Sequence, residues 1–267
     1  MVKNEDIRKR LQSVKCFALD MDGTFYLGDR ILEGSMAFIR KVKATGRRFI
    51  FLTNNSSKGS WQYVDKLADM GVMIDKSEIL TSGQVAAEYV LKSYPGKRVF
   101  LLGNENLRKE MEAMGVVLND DAPDLCVIGF DTTLDYGKMC RVCDYVRAGL
   151  PFVATHPDFN CPTERGFIPD IGAILAFIEA STGRRPNRIV GKPYEEIVDC
   201  LKARTGLESG QMAMVGDRLY TDIRTGVDHG LVAILVLSGE TKAEDLKRSE
   251  IQPGLVFENL GEMVPYL

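Results

Sequence analysis

Asp20-Met21-Asp22-Gly23-Thr24 places two carboxylates two residues apart, directly behind the apolar run Cys16-Phe17-Ala18-Leu19. Carboxylates so placed offer hard oxygen ligands and groups able to carry a proton. The apolar run reads as a buried strand, and the carboxyl ends of strands are where open α/β sheets do chemistry. Residues i and i+2 of a strand share a face, so Asp20 and Asp22 converge if the strand persists that far. Gly23 then lets the chain turn or approach an anion closely. Alone, an Asp-x-Asp-Gly is usually an acidic turn.

Three further clusters change that reading. A second apolar run, Arg48-Phe49-Ile50-Phe51-Leu52, ends in Thr53-Asn54-Asn55-Ser56-Ser57. Gly191-Lys192-Pro193 precedes a helical pattern over Ile197, Val198 and Leu201, and the strand-like Met212-Ala213-Met214-Val215 ends in Gly216-Asp217-Arg218, with Asp222 five residues past Asp217. Asp20 and Asp217 supply the hard oxygen ligands that Mg²⁺ prefers, and carboxylates crowded around one point repel unless a cation or a proton offsets them. Lys192 and the donors of Thr53, Asn54 and Asn55 suit a phosphoryl group, as do the unpaired N–H groups of a helix N-terminus. Each cluster singly has an ordinary explanation as a turn, a cap or a solvated lysine. Together, in order, they do not.

The elements that must position these residues alternate. Helical spacing over 35–44 (Met36, Phe38, Ile39, Val42) lies between the first two strands. Trp61, Val64, Leu67 and Ala68 follow Ser60, an expected N-cap, as a core-facing stripe. Alternating strand and helix predicts an α/β fold, a doubly wound and mainly parallel Rossmann-like sheet. Right-handed crossovers place the loops after successive strands at one edge, which makes Asp20 and Thr53 neighbours. A second α/β set fills the middle: strands at 99–102, 125–128 and 152–154 with helices near 104–114 and 136–148, enough for an inserted domain.

Of the 267 residues 45% are hydrophobic, enough for one large domain or two smaller ones, and the net charge of −3 lacks the basic excess a nucleic-acid polymer requires. No stretch approaches the roughly 18 apolar residues of a membrane span. Met1-Val2-Lys3-Asn4-Glu5-Asp6 opens a charged segment rather than a signal peptide, so a cytoplasmic protein is expected. Cys16, Cys126, Cys140, Cys143, Cys161 and Cys200 are scattered in apolar contexts and read as reduced thiols. Cys140-x-x-Cys143 has no second pair to complete a zinc site, and no cysteine has an arginine six positions on, which removes thiolate phosphatase chemistry. His229 reads as structural.

In order and spacing, the four clusters resemble the motifs of the haloacid dehalogenase-like (HAD) hydrolase superfamily. The likeness is nearest to its NagD-like, 4-nitrophenylphosphatase branch, through Leu52-Thr53-Asn54-Asn55-Ser56, Ala154-Thr155-His156-Pro157-Asp158, Val190-Gly191-Lys192-Pro193 and Met214 to Ile223. The resemblance implies a HAD core over 1–82 and 183–267, with a C2-type cap over 83–182 that closes over the site and selects substrates. It implies Asp20 as the nucleophile that becomes an aspartyl-phosphate, Asp22 as general acid and then base, and Thr53 and Lys192 as stabilisers of the phosphoryl group. Asp20, the Asp22 carbonyl and Asp217 would ligate Mg²⁺, with Asp222 bracing its waters or Lys192. Gly23, Thr53, Asn54, Asn55, Lys192 and the cap's His156, where relatives commonly carry Asn, are the expected substrate contacts.

The activity implied is Mg²⁺-dependent hydrolysis of small phosphomonoesters: nucleotide or sugar phosphates, or 4-nitrophenyl phosphate in vitro. Caps in this branch often join homodimers. A phosphotransferase or phosphomutase would share the first step. A receiver-like phospho-Asp switch would share the cluster but leaves Asp22 and the middle domain without a purpose.

Overall fold

The computed structural model describes residues 4–163 and 166–267. Met1, Val2 and Lys3 of the charged opening lie outside the described residues. The chain divides into two compact units, one of Met1–Thr53, Val64–Leu80 and Val198–Leu267, the other of Asn54–Tyr63 and Thr81–Ile197.

The first unit carries a six-stranded parallel sheet in the order Leu255–Phe257, Val232–Val236, Met212–Gly216, Cys16–Leu19, Arg48–Thr53, Ile79–Thr81. Cys16–Leu19 is buried along its whole length, as is Met212–Gly216. Strands covered on both faces carry continuous apolar runs, which is why these segments do not alternate. Leu19 pairs with Val215 on one side and Phe51 on the other, so Asp20, Asp217 and Thr53 leave or end neighbouring strands at the same edge. The helix Ser35–Ala44 buries Phe38, Ile39 and Val42, as its spacing predicts. The strand does not persist to Asp22: the chain turns through Gly23 at φ 83° into the short hairpin Tyr26–Leu27 with Arg30–Ile31.

The second unit holds its own five-stranded parallel sheet, in the order Arg188–Ile189, Phe152–Ala154, Leu125–Ile128, Arg98–Leu102, Val117–Leu118. Phe100, Cys126, Ile128 and Phe152 pack with Val142, Val146, Ile174 and Ile178 of the helices Tyr136–Arg147 and Ile171–Thr182. Asn104 and Asp135 cap their helices by accepting from the N–H groups of Leu107 and Lys138. This unit extends on both sides of the expected 83–182 segment. Arg188–Ile189 pairs with Phe152–Ala154, and Val190 N–H donates to the Ala154 carbonyl at 3.1 Å, which ties the Lys192 segment to this sheet.

Ser60 is not a cap but the first residue of the helix Ser60–Asp69, its N–H donating to Glu110 Oε1 at 2.7 Å. That helix buries Tyr63 and Leu67, while Trp61 is only half-buried. Cys140 is exposed and Cys143 buried on one helix, and all six cysteines are free. Among the described residues no helix is long and apolar enough to cross a membrane.

Phe51 is fully buried, with its ring edge-on to Phe25 at 4.8 Å and to Phe49 at 5.3 Å between centroids. Phe51→Ala is expected to cost about 3–5 kcal/mol in urea unfolding, as large-to-small core substitutions of aromatics do. A loss below about 1 kcal/mol would show that this strand is not part of the core.

Candidate active site

At the strand ends of the first unit, ligand oxygens of Asp20, Asp217 and Asp222 lie within 4.8 Å of one another. Asp20 directly follows its strand, and its N–H donates to the Val215 carbonyl at 2.9 Å, tying it to the strand that delivers Asp217. Asp222 lies in the π-helical turn Leu219–Ile223, where its Oδ2 accepts from Arg218 N–H at 3.1 Å. Such turns recur at functional sites because the extra residue re-aims a side chain.

Two glycines bring main chain against Asp217. A Cβ on Gly23 would stand 2.5 Å from Asp217 Oδ2, and one on Gly239 would overlap the same carboxylate. Asp217 Oδ1 accepts from the Thr24 hydroxyl at 3.2 Å and Oδ2 from Glu240 N–H at 2.7 Å. These contacts hold the carboxylate but do not neutralise it. Burial first, then the charges of Asp20 and Asp222, push the Asp217 pKa up to about 7. Three buried or half-buried carboxylates with only oxygen donors fit a hard divalent cation, whose charge would replace the proton that Asp217 otherwise retains. The acidic metal-binding cluster is therefore Asp20, Asp217 and Asp222.

Asp22 stays open to solvent, yet the surrounding protein raises its pKa, and Asp20 adds to the rise. Lys66, the Gly28 N–H and Arg218 oppose it. Lys66 was not legible as a site residue. It lies on the helix Ser60–Asp69, with its ammonium 4.2 Å from the Tyr26 ring centroid and 3.6 Å from Asp29 Oδ1, and nothing in its spacing marks it. Burial works against the charge of Arg218, but Asp20, Tyr220, Asp217 and Asp222 hold its proton above the ordinary arginine range.

Asn54, Asn55, His156 and Lys192 fall in the second unit. The Asn54 side chain, expected on substrate, is fully used within the protein: Oδ1 accepts from Lys192 N–H at 2.8 Å, and Nδ2 donates to the Lys192 carbonyl at 3.0 Å and to Asp158 Oδ2 at 3.1 Å. Asn55 closes a turn, its Oδ1 accepting from the N–H and hydroxyl of Ser57. His156 is completely buried, with Nδ1 3.0 Å from Thr155 Oγ1 and Nε2 3.0 Å from Asp170 Oδ1. Both ring nitrogens have partners within this unit, which His156 therefore braces. Gly23 makes the expected turn: its N–H donates to the Tyr26 carbonyl at 2.8 Å, and its main chain comes up against the Asp217 carboxylate. Thr53 ends its strand nearly buried, and Lys192 is 2% exposed.

Residues 17–117 match the family described as haloacid dehalogenase-like hydrolase, and residues 189–263 the HAD-hydrolase-like family. The chain is 34% identical over 258 residues to an acid sugar phosphatase of Staphylococcus aureus, covering 96% of this chain and 99% of that one. The structure of a 4-nitrophenylphosphatase from Thermotoga maritima superposes with a TM-score of 0.94 at 49% identity, over 96% of this chain and 98% of the other. NagD of E. coli gives 0.86 at 30% identity, over 93% and 98%. The chain belongs to the haloacid dehalogenase-like hydrolases, in their NagD/4-nitrophenylphosphatase family. It is a HAD-type phosphatase of small phosphomonoesters.

The raised Asp217 pKa sets a sign for stability. In the unfolded chain Asp titrates near 3.9, so between about pH 4 and 7 the folded state binds the extra proton, and stability falls as pH rises through that window. A divalent cation competes with that proton. Adding Mg²⁺ to chelator-treated protein is expected to raise the melting temperature by several degrees at pH 8 and far less at pH 4.5, since a ligand at a hundredfold excess over its Kd contributes about 2.7 kcal/mol. Equal shifts at the two pH values, or a full shift in Asp217→Asn, would contradict the assignment.

Proposed function

We propose that this phosphatase hydrolyses sugar phosphates and related small polyol phosphates through an aspartyl-phosphate on Asp20, with Mg²⁺ as the cation. The observation that carries the reading is the joint placement of Asp20 among Asp217 and Asp222, together with an Asp22 whose pKa is raised by desolvation from the surrounding protein and by Asp20. The substrate class is supported by the acid sugar phosphatase of S. aureus and by a glycerol phosphate phosphatase of Mycobacterium tuberculosis, 30% identical with a TM-score of 0.88.

Asp20 Oδ attacks phosphorus as the bond to the ester oxygen breaks, and Asp22 delivers its proton to that oxygen. Asp22, now a carboxylate, takes a proton from water, whose oxygen attacks the phosphoryl group. Inorganic phosphate leaves and the Asp20 carboxylate is restored. Lys192 and the Thr53 hydroxyl stabilise the phosphoryl oxygens. Asp20, Asp217 and the Asp22 carbonyl would hold Mg²⁺, which would supply positive charge to the same oxygens, and Asp222 would brace its waters.

Residues 83–182 are proposed as the C2-type cap that selects among esters. The exposed Phe159, Phe167 and Ile168 support pairing of two copies through this part of the chain, and six free cysteines support a reducing, cytoplasmic setting. Sedimentation equilibrium reads the first directly.

Asp20→Asn is expected to remove nearly all phosphate release from 4-nitrophenyl phosphate, and an equally active variant would sink the mechanism. Asp22→Asn is expected to lose at least tenfold more activity on a sugar phosphate than on the nitrophenyl ester, because nitrophenolate leaves without a proton. The pH dependence has the same sign. As pH rises through the raised Asp22 pKa the acid is lost, so the first step on sugar phosphates slows while that on 4-nitrophenyl phosphate stays nearly flat. Matching profiles for the two esters would remove Asp22 from the acid role.

A further inference from the structure

Lys192 is held by its main chain, and the group that holds it is itself held. Both polar groups of the Lys192 peptide, N–H and C=O, bond to the one Asn54 amide, at 2.8 and 3.0 Å. The Asn54 carbonyl accepts in turn from the Ser82 hydroxyl. This pairing works in one orientation only. An amide turned by 180° would set its oxygen against the Lys192 carbonyl and its NH₂ against the Lys192 N–H.

Asp158 reinforces that orientation. A carboxylate only accepts, so Asp158 Oδ2, 3.1 Å from Asn54 Nδ2, admits the NH₂ end and rejects the oxygen end. Its charge also makes this bond stronger than a neutral one. The neighbouring main chain fits closely: a Cβ on Gly191 would stand 2.5 Å from the Thr155 carbonyl oxygen, 2.8 Å from Asn54 Oδ1 and 2.9 Å from His156 Cβ. The segment 155–158 is thus packed around the Lys192 turn.

Asp158 does this at a cost to the fold. It is 8% exposed, and its second oxygen, Oδ1, is buried with no hydrogen-bond partner among the described residues. An unsatisfied buried acceptor destabilises the native state, and here it accompanies the bond to the Asn54 amide.

We infer that Asp158 is a positioning residue for the phosphatase reaction, locking the Asn54 amide so that the Lys192 turn is held in its working conformation. The inference rests on the proposed role of Lys192 in stabilising the phosphoryl group. Misplacing a group by about 1 Å can cost on the order of a hundredfold in rate, and a loosened rather than lost clamp should cost less.

The test is steady-state kinetics with Mg²⁺ on a sugar phosphate, alongside thermal melting, for Asp158→Ala, Asp158→Asn, Lys192→Ala and the double variant Asp158→Ala/Lys192→Ala. Asp158→Ala is expected to lower kcat by roughly tenfold, with KM within about twofold and the melting temperature unchanged or higher. Asp158→Asn, which keeps an acceptor within reach of Asn54, should regain most of that kcat. The double variant should be no slower than Lys192→Ala, because the two residues act as one unit. An unchanged kcat in Asp158→Ala, a loss of kcat that tracks a loss of melting temperature in both Asp158 variants, or additive losses in the double variant would each overturn the inference. Full activity in Lys192→Ala would instead refute the proposed role of the lysine, and the positioning role with it. Should Asp158→Ala fail to fold, Asp158→Ser, whose hydroxyl falls short of the amide, carries the same expectations.

Discussion

Repulsion among three carboxylates is the constraint on which the first unit depends. Asp20, Asp217 and Asp222 bring ligand oxygens within 4.8 Å while Asp217 and Asp222 are almost wholly buried. Such a cluster costs free energy until a proton or a cation offsets it. The cost is imposed by rigid elements. Asp20 and Asp217 leave adjacent parallel strands paired residue for residue, and neither can retreat without breaking the sheet. Glycines at 23 and 239 admit the Asp217 carboxylate where any side chain would exclude it. The fold stores charge at one sheet edge and leaves a cation to complete it.

In the second unit the fold solves a different problem, that of fixing a flexible cation. A lysine side chain has four rotatable bonds and a strongly hydrated ammonium. Holding its peptide by N–H and C=O together fixes where the side chain begins. Asn54 does this across 138 positions of sequence, and Asp158 fixes Asn54. His156 and Asp170 act one step further out, the imidazole bridging Thr155 to the residue that caps the helix Ile171–Thr182.

What was legible in the sequence follows from what is local. Continuous apolar runs identified Cys16–Leu19, Arg48–Thr53, Leu125–Ile128 and Met212–Gly216, because strands buried on both faces need no partner to be recognised. The acidic residues could be placed because strand ends are local features. The partners of Asn54 and His156 were not legible for the opposite reason: they lie at 192 and 170 and are identified only once the chain has folded. Strands of two or three residues, such as Arg188–Ile189 and Ile79–Thr81, are too short to show a period, so the extent of the second unit and the edge of the first sheet became visible only through pairing. Lys66 carries no local mark, since a lysine on a helix is ordinarily solvated.

Asp22 and Asp217 show how one physical cause yields two kinds of carboxylate. Desolvation by the surrounding protein is the largest factor raising both pKa values, and Asp20 raises both further. Access separates them. Asp217 is 2% exposed, with Thr24 and Glu240 bonded to its two oxygens, which suits it to holding a cation. Asp22 lies just before the turn at Gly23 and is exposed, the access that its proposed exchange of a proton with a leaving oxygen and with water requires. Pairs of titratable groups in contrasting surroundings mark acid and base assignments. Here the contrast is in exposure rather than in the direction of the shift, and it is produced by the strand ending at Leu19 instead of continuing through Asp22.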